Sequence, residues 1–243
     1  MKRLHFVFDD YFESINSDLK AYLLGFFLAD GCIQMNSRCK NSYRFSINIS
    51  DIDSKIIELY KKEICPTSNI QITNYKKGAI DRKPTYMIRW TSTKMKNSLE
   101  KYNIKTNKTK DINFEFPFDL INSKYLFSFI RGFFDGDGHL SYVPNKTTFT
   151  FAFYGTSKKF LIQIGEIFEK EFNIKYIIDE TKKKNMILYC LRFNSNYKRR
   201  EFIEKLYNKM YNNSEFSLDR KRYKFESYLN TVLNIGTKKS ISV

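Results

Sequence analysis

Several things are scarce in this chain. Its 243 residues include four prolines and nine glycines, and they never gather with serine into a linker, so no flexible spacer marks off separate domains. The four cysteines (Cys32, Cys39, Cys65 and Cys190) form no CxxC pair. That spacing disfavours a structural zinc site, and nothing in it suggests a secreted disulfide framework, so a reducing compartment is expected. The two histidines, His5 and His139, are too few for a histidine-held metal nuclease of the HNH type. No apolar run approaches membrane-spanning length, and the first residues, MKRLHFVFDDYF, are broken by Asp9 and Asp10 too early for a secretory signal. The expectation is an intracellular protein that does not engage a membrane.

Acid is scarce relative to base: 26 Asp and Glu stand against 42 Lys and Arg, a formal net charge of +16 with an isoelectric point near 9.5. An excess of that size points to a polyanionic partner, nucleic acid before anionic membrane. What the chain has in plenty is apolar and aromatic side chains, 42% and 17% of its residues, enough to build a substantial core rather than remain disordered.

The chain is written twice. LLGFFLADGCI (residues 23–33) and IRGFFDGDGHL (130–140) share Gly-Phe-Phe, a small residue, then Asp-Gly. After each come a segment of strict alternation (43–49 and 148–153), a helical pattern (53–64 with Asp53 as N-cap, 157–172 with Ser157), a Tyr-x-x-Arg-aromatic-x-Ser strand (86–92 and 189–195) and a last helix (around 95–102 and 199–211). Period two predicts strands with one buried face, carrying Phe45, Ile47, Phe149 and Phe151, and one open face. Each half is therefore predicted as αββαββα. The fold class is α+β: two pseudo-two-fold related repeats with saddle-shaped antiparallel sheets and a central pair of packed helices. The boundary is placed near Pro117, giving repeats 1–117 and 118–243.

The motif helices pose a problem of charge. From Leu23 to Ala29 no side chain is polar, so that helix must be buried on every side. Gly25 and Gly132 predict close approach of two backbones, and Gly31 and Gly138 are predicted as left-handed helix stops. Asp30 and Asp137 then fall at helix C-termini, where the dipole disfavours acids. Two carboxylates brought together there would repel each other, and a divalent cation removes the conflict, with Mg²⁺ suited to hard oxygen ligands.

With both motifs in matched context, the chain resembles the LAGLIDADG homing endonucleases in their single-chain, two-motif form, across nearly its whole length. The resemblance implies Mg²⁺-dependent hydrolysis of one phosphodiester in each strand of a long double-stranded DNA target, giving a staggered break. It implies that Asp30 and Asp137 hold the metal, with Ala29 and Gly136 beside them. It also implies a basic residue near each centre, Lys108 in the first half and Lys221 in the second, with Lys110 or Arg220 as substitutes. Asp135 faces Leu28 in the alignment of the motifs and is expected at the helix end or behind the metal ligands. The protein would act as a monomer with internal pseudo-symmetry, in a bacterial or phage-infected cytoplasm or an organelle.

The open sheet faces would lie in the major groove. Gln34, Asn36, Arg38, Arg44, Ser46, Asn48, Gln71, Thr73, Tyr75 and Arg89 are the base-contact candidates of the first half. Ser141, Asn145, Thr148, Thr150, Glu180, Lys182 and Arg192 are those of the second. The lysine runs 76–77 and 182–184 are expected in loops, against phosphates, and His139 at a strand start. Two other readings of the same fold stay open: a maturase acting on intron RNA, and a DNA-binding protein that does not cut. An intein is not expected.

Overall fold

The computed structural model describes the chain apart from residues 1–4, 37–38, 40, 75, 78–79, 82, 144–147, 185, 196–199 and 241–243. The candidates Arg38, Tyr75 and Asn145 lie outside the described residues. The chain divides into two compact units, Met1–Lys108 with Pro117–Gly132, and Thr109–Phe116 with Phe133–Val243.

The first unit begins with helix α1 (Asp18–Asp30). Ser17 starts it by accepting the Lys20 N–H on its hydroxyl, and Asp18 sits in the first turn, where the dipole favours an acid. Residues Ala21 to Leu28 are buried all round, as an unbroken apolar run requires. The chain turns directly into strand β1 (Gly31–Met35), then β2 (Tyr43–Ser50), helix α2 (Lys55–Ile64), β3 (Gln71–Thr73), a small hairpin of β4 (Lys76–Lys77) and β5 (Ile80–Asp81), β6 (Thr85–Thr91) and helix α3 (Thr93–Glu100). The sheet order is β1-β2-β6-β3, antiparallel throughout. Its buried face stacks Phe45 on Trp90 with ring centroids 5.5 Å apart, and Phe27 and Tyr60 close the cluster. The Trp90 indole N–H finds an acceptor in the Met95 sulfur at 3.2 Å, so the largest ring in the core leaves no polar atom unmet.

The second unit repeats the plan with β7 (Gly138–Val143), β8 (Thr148–Gly155), helix α5 (Lys158–Phe172), β9 (Ile177–Lys183), β10 (Met186–Ser195) and helix α6 (Arg200–Tyr207), in sheet order β7-β8-β10-β9. The strap before Pro117 belongs to this unit because α5 holds it: the Gln163 amide bonds both the N–H and the C=O of Phe116, at 3.0 and 3.1 Å, and the Ser157 hydroxyl donates to the Phe114 carbonyl at 2.6 Å. Helix α4 (Leu126–Asp137) contributes its first residues to the first unit and its last to the second.

The α+β class, the order of elements within each repeat and the Ser157 cap are as the sequence predicts. Four expectations are corrected. Ser54 rather than Asp53 stands at the N-cap position of helix α2, without a side-chain capping bond, because 51–53 form a 3₁₀ turn of their own. The lysine pairs 76–77 and 182–183 lie in strands rather than loops. A long helix α7 (Asp219–Ser240) follows the second repeat. Gly31 and Gly138 are not left-handed stops. Gly31 has φ −74° and ψ 149° and leads straight into β1. A Cβ there would lie 2.3 Å from the Phe27 ring, and one on Gly138 2.1 Å from Phe134. Glycine is needed for room under the motif phenylalanine, not for backbone freedom.

Gly132 does serve close approach. A Cβ on it would lie 2.0 Å from the Tyr22 carbonyl oxygen and 2.8 Å from the Phe26 nitrogen. Neighbouring contacts tie the same helices, with Ser128 donating to Asp18 at 2.7 Å and the Arg131 guanidinium 5.2 Å from the centre of the Tyr22 ring. Backbone cannot yield as a side chain can, so Gly132→Ala is expected to cost about 3 kcal/mol, at the upper end of overpacking penalties. Urea unfolding should show it as a drop in midpoint at unchanged slope.

The cysteines offer a second test. Cys32 and Cys39 are exposed, Cys190 is intermediate, and Cys65 is buried with its thiol pushed up to about 11 by burial. At pH 8 a disulfide reagent should label Cys32 and Cys39 fastest, and Cys65 only once denaturant is added.

Candidate active site

Asp30 and Asp137 are the last residues of α1 and α4, and both are exposed although the helices behind them are buried. Ala29 and Gly136, one residue back, are half-buried. Each helix end therefore presents one carboxylate to solvent with the same pattern of burial.

The structure also supplies what offsets the dipole. Lys108 lies in a short 3₁₀ turn, Lys108–Lys110. It donates to the carbonyl oxygens of Phe27 at 2.9 Å, of Leu28 and of Ala29 at 2.8 Å, the last carbonyls of α1. Lys221, in the first turns of α7, donates to the carbonyls of Phe134, of Asp135 at 2.7 Å and of Gly138 at 2.8 Å. The two ammonium groups lie 5.9 Å and 4.6 Å from the centres of the Phe27 and Phe134 rings. Helix ends leave their last carbonyls without intrahelical donors. Here a cation meets them in both halves, one residue away from an exposed acid. Lys221 is only 2% exposed, whereas Lys108 is half-buried. Lys110 and Arg220 are exposed.

Asp135 is fully buried. One oxygen accepts from the Tyr211 hydroxyl at 2.7 Å and the other from the Leu218 N–H at 2.8 Å. It therefore fastens the chain ahead of α7 to the motif helix, which lets Lys221 reach the carbonyls. Tyr211 sits in a π-helical turn, Asn208–Asn212, which the sequence pattern does not announce. Helix α7 itself was legible: Leu218, Phe225 and Tyr228 are buried at helical spacing behind the first-turn acid Asp219.

The sheet faces sort the remaining candidates. In the first unit Gln34 pairs with Arg44, and Ser46 with Arg89. These four, with Asn48 and Gln71, alternate with buried Ile33, Phe45, Ile47 and Ile88 and share the open face. Thr73 follows Gln71 on that face by alternation, and half-buried Asn36 bonds the Ser42 carbonyl just beyond β1. In the second unit His139, Ser141, Thr150 and Arg192 share the open face by register, and Thr148 pairs with Val143 at the start of β8. Glu180 and Lys182 do not. They pair with Tyr189 and Ile187, on the face of Leu191, while Asp179, Thr181 and Lys183 lie on that of Arg192. The alternation of β9 had been read one residue out of phase, because the strand is exposed along most of its length and carries little apolar pattern to fix it.

The two repeats thus define a class of protein: an α+β chain in which each motif helix ends on an exposed carboxylate beside a basic, polar-faced antiparallel sheet. Residues 124–207 match a family model described as a LAGLIDADG-like domain. The homing endonuclease I-WcaI bound to its DNA recognition sequence is 16% identical with a TM-score of 0.59, over 89% of this chain and 90% of that one. The LAGLIDADG meganuclease I-AabMI bound to uncleaved DNA is 14% identical with a TM-score of 0.55, over 92% of each. I-SmaMI bound to an uncleaved DNA target in the presence of calcium ions is 14% identical with a TM-score of 0.53, over 94% of each. No curated protein matches the chain in sequence. The match to the LAGLIDADG-like family model is confined to the second repeat, and over about nine-tenths of its length the chain has the fold of these solved proteins.

Proposed function

We propose that this chain is a sequence-specific DNA endonuclease of the homing type, hydrolysing one phosphodiester in each strand of a long duplex target with a divalent cation. The observation that carries the reading is the matched pair of helix ends, each with an exposed aspartate and a lysine on the carbonyls behind it. The net charge of +16 supports a polyanionic partner. The likeness to proteins solved on DNA supports duplex DNA in particular.

The donors fit a hard cation. Among the described residues no three His, Cys, Asp or Glu come together. Mg²⁺ takes one or two carboxylates and keeps its other positions for water and substrate phosphate. Asp30 in the first unit and Asp137 in the second would each offer such an ion one carboxylate, with Ala29 and Gly136 beside them. The fold relative solved with calcium ions supports a divalent cation in general. When bound, the ion makes water a nucleophile near neutral pH and stabilises the leaving 3′-oxygen.

The chain's own residues supply position and recognition. Lys108 and Lys221 are positioning residues, because their ammonium groups are spent on the motif-helix carbonyls and Lys221 is buried. They offset the negative end of each helix beside the aspartates. Gln34, Arg44, Ser46, Asn48 and Gln71 face base edges from one sheet, with Arg89 beside them on the same face. Ser141, Thr150 and Arg192 do so from the other.

The test is a plasmid carrying the uninterrupted insertion locus, incubated with the protein in Mg²⁺ and in EDTA. A single staggered break in Mg²⁺ alone is the expected result. Salt-sensitive binding to that locus without a cut would replace this reading with that of a binding protein or an RNA maturase.

A further inference from the structure

Arg192 stands on the open face of β10, between buried Leu191 and Phe193. Its neighbour on β8 is Ala152, and on β9 it faces Ile177. The diagonal neighbour on β9 is Asp179, whose carboxylate takes the Arg192 Nε–H on Oδ2 and lies 3.5 Å from Nη2 through Oδ1. The Nε–Nη2 edge of the guanidinium is thus turned to the carboxylate, and the Nη1 and outward Nη2 hydrogens stay available.

The repeat provides its own comparison. Arg89 is the counterpart of Arg192 in the Tyr-x-x-Arg strand, and its β2 neighbour is Ser46. The residue at the place of Asp179 is Gln71, paired with Met87 two positions before Arg89. Among the described residues Arg89 makes no ion pair, whereas Arg192 does. An acid on a face meant for phosphates would be a liability, since it weakens the very attraction the net charge supplies. It is useful if the arginine it holds is aimed at a base.

Resting on the endonuclease reading, we propose that Asp179 is a positioning residue that fixes Arg192 to read one guanine of the target through its O6 and N7, while the unpinned Arg89 contributes mainly to affinity. A planar guanidinium matches those two acceptors, and a good pair of this kind discriminates roughly 5- to 150-fold against the wrong base. Holding the fork before DNA arrives removes rotamer freedom that would otherwise be lost on binding.

The experiment is selection of binding sites by the full chain from a pool of random-sequence duplexes, without cleavage, for the wild type, Arg192→Ala, Asp179→Ala, Asp179→Asn and Arg89→Ala. The wild type should enrich a motif with one strongly preferred guanine that Arg192→Ala erases. Both Asp179 variants should flatten that position alone by several-fold, with non-specific binding unchanged or tighter. Arg89→Ala should weaken binding across the motif. A wild-type motif in which the Asp179 variants flatten no position, or in which Arg192→Ala lowers binding evenly, overturns the assignment and leaves the endonuclease reading standing. A wild type that enriches no motif overturns both.

Discussion

Asparagine in place of either Asp30 or Asp137 is expected to lower double-strand cleavage by about 10³-fold, since a residue that holds a catalytic cation is worth several kcal/mol of barrier. The same substitutions should leave the protein as stable as before. Each acid stands exposed at a helix C-terminus, where the macrodipole disfavours negative charge by about 0.3–1 kcal/mol. Removing the charge at constant shape therefore relieves that repulsion by a few tenths of a kcal/mol. DNA affinity should hold or rise, because a negative charge has been taken from a surface that meets phosphate. Activity and stability thus move apart, and that divergence separates a functional acid from a structural one. Plasmid cleavage, thermal unfolding and a binding titration, run on the same three proteins, decide it. Loss of cleavage with a matching fall in melting temperature would show that the acids hold the fold instead.

This conflict of charge was visible in the sequence, but only half of its solution was. The all-apolar run 23–29 announced a helix buried on every side, and the repeated Asp-Gly announced acids at two helix ends. Gly132 could be read as a close approach because the neighbouring residues were large and apolar. The lysines were legible only as basic residues near each motif. That they lie on the helix carbonyls depends on the fold of 102–108 and of 211–221, where no periodic pattern constrains the chain. Asp135 illustrates the same limit. Its two partners, Tyr211 and Leu218, are far along the chain and meet it through a π-helical turn, a local geometry without a sequence signature. The sheet faces were readable wherever large buried residues alternate, as in β2 and β8. They were misread in β9, where exposure along most of the strand removes the signal that sets register.

Lys221→Met is expected to destabilise the protein by about 3–4 kcal/mol, and Lys108→Met by about 1–2. Methionine keeps most of the length and apolar stem, so the change isolates the ammonium. At Lys221 the charge is nearly excluded from water, and it serves the carbonyls of Phe134, Asp135 and Gly138. Without it those oxygens lose a charge-assisted donor where water has little access, and such bonds carry about 1.5–3 kcal/mol each before non-additivity. Lys108 also makes three carbonyl bonds, to Phe27, Leu28 and Ala29, at a half-exposed site, and water can replace a good part of them. Arginine should not rescue Lys221, because a planar fork cannot converge three donors on carbonyls arranged for a compact ammonium. Combining Lys221→Met with Asp137→Asn tests the electrostatic origin directly. If the lysine offsets the negative helix end on which the acid also bears, the double variant should be more stable than the sum of the single losses, by about 0.5 kcal/mol or more. Strict additivity would mean that Lys221 supplies hydrogen bonds alone, and that the acid at the end of α4 is tolerated for some other reason.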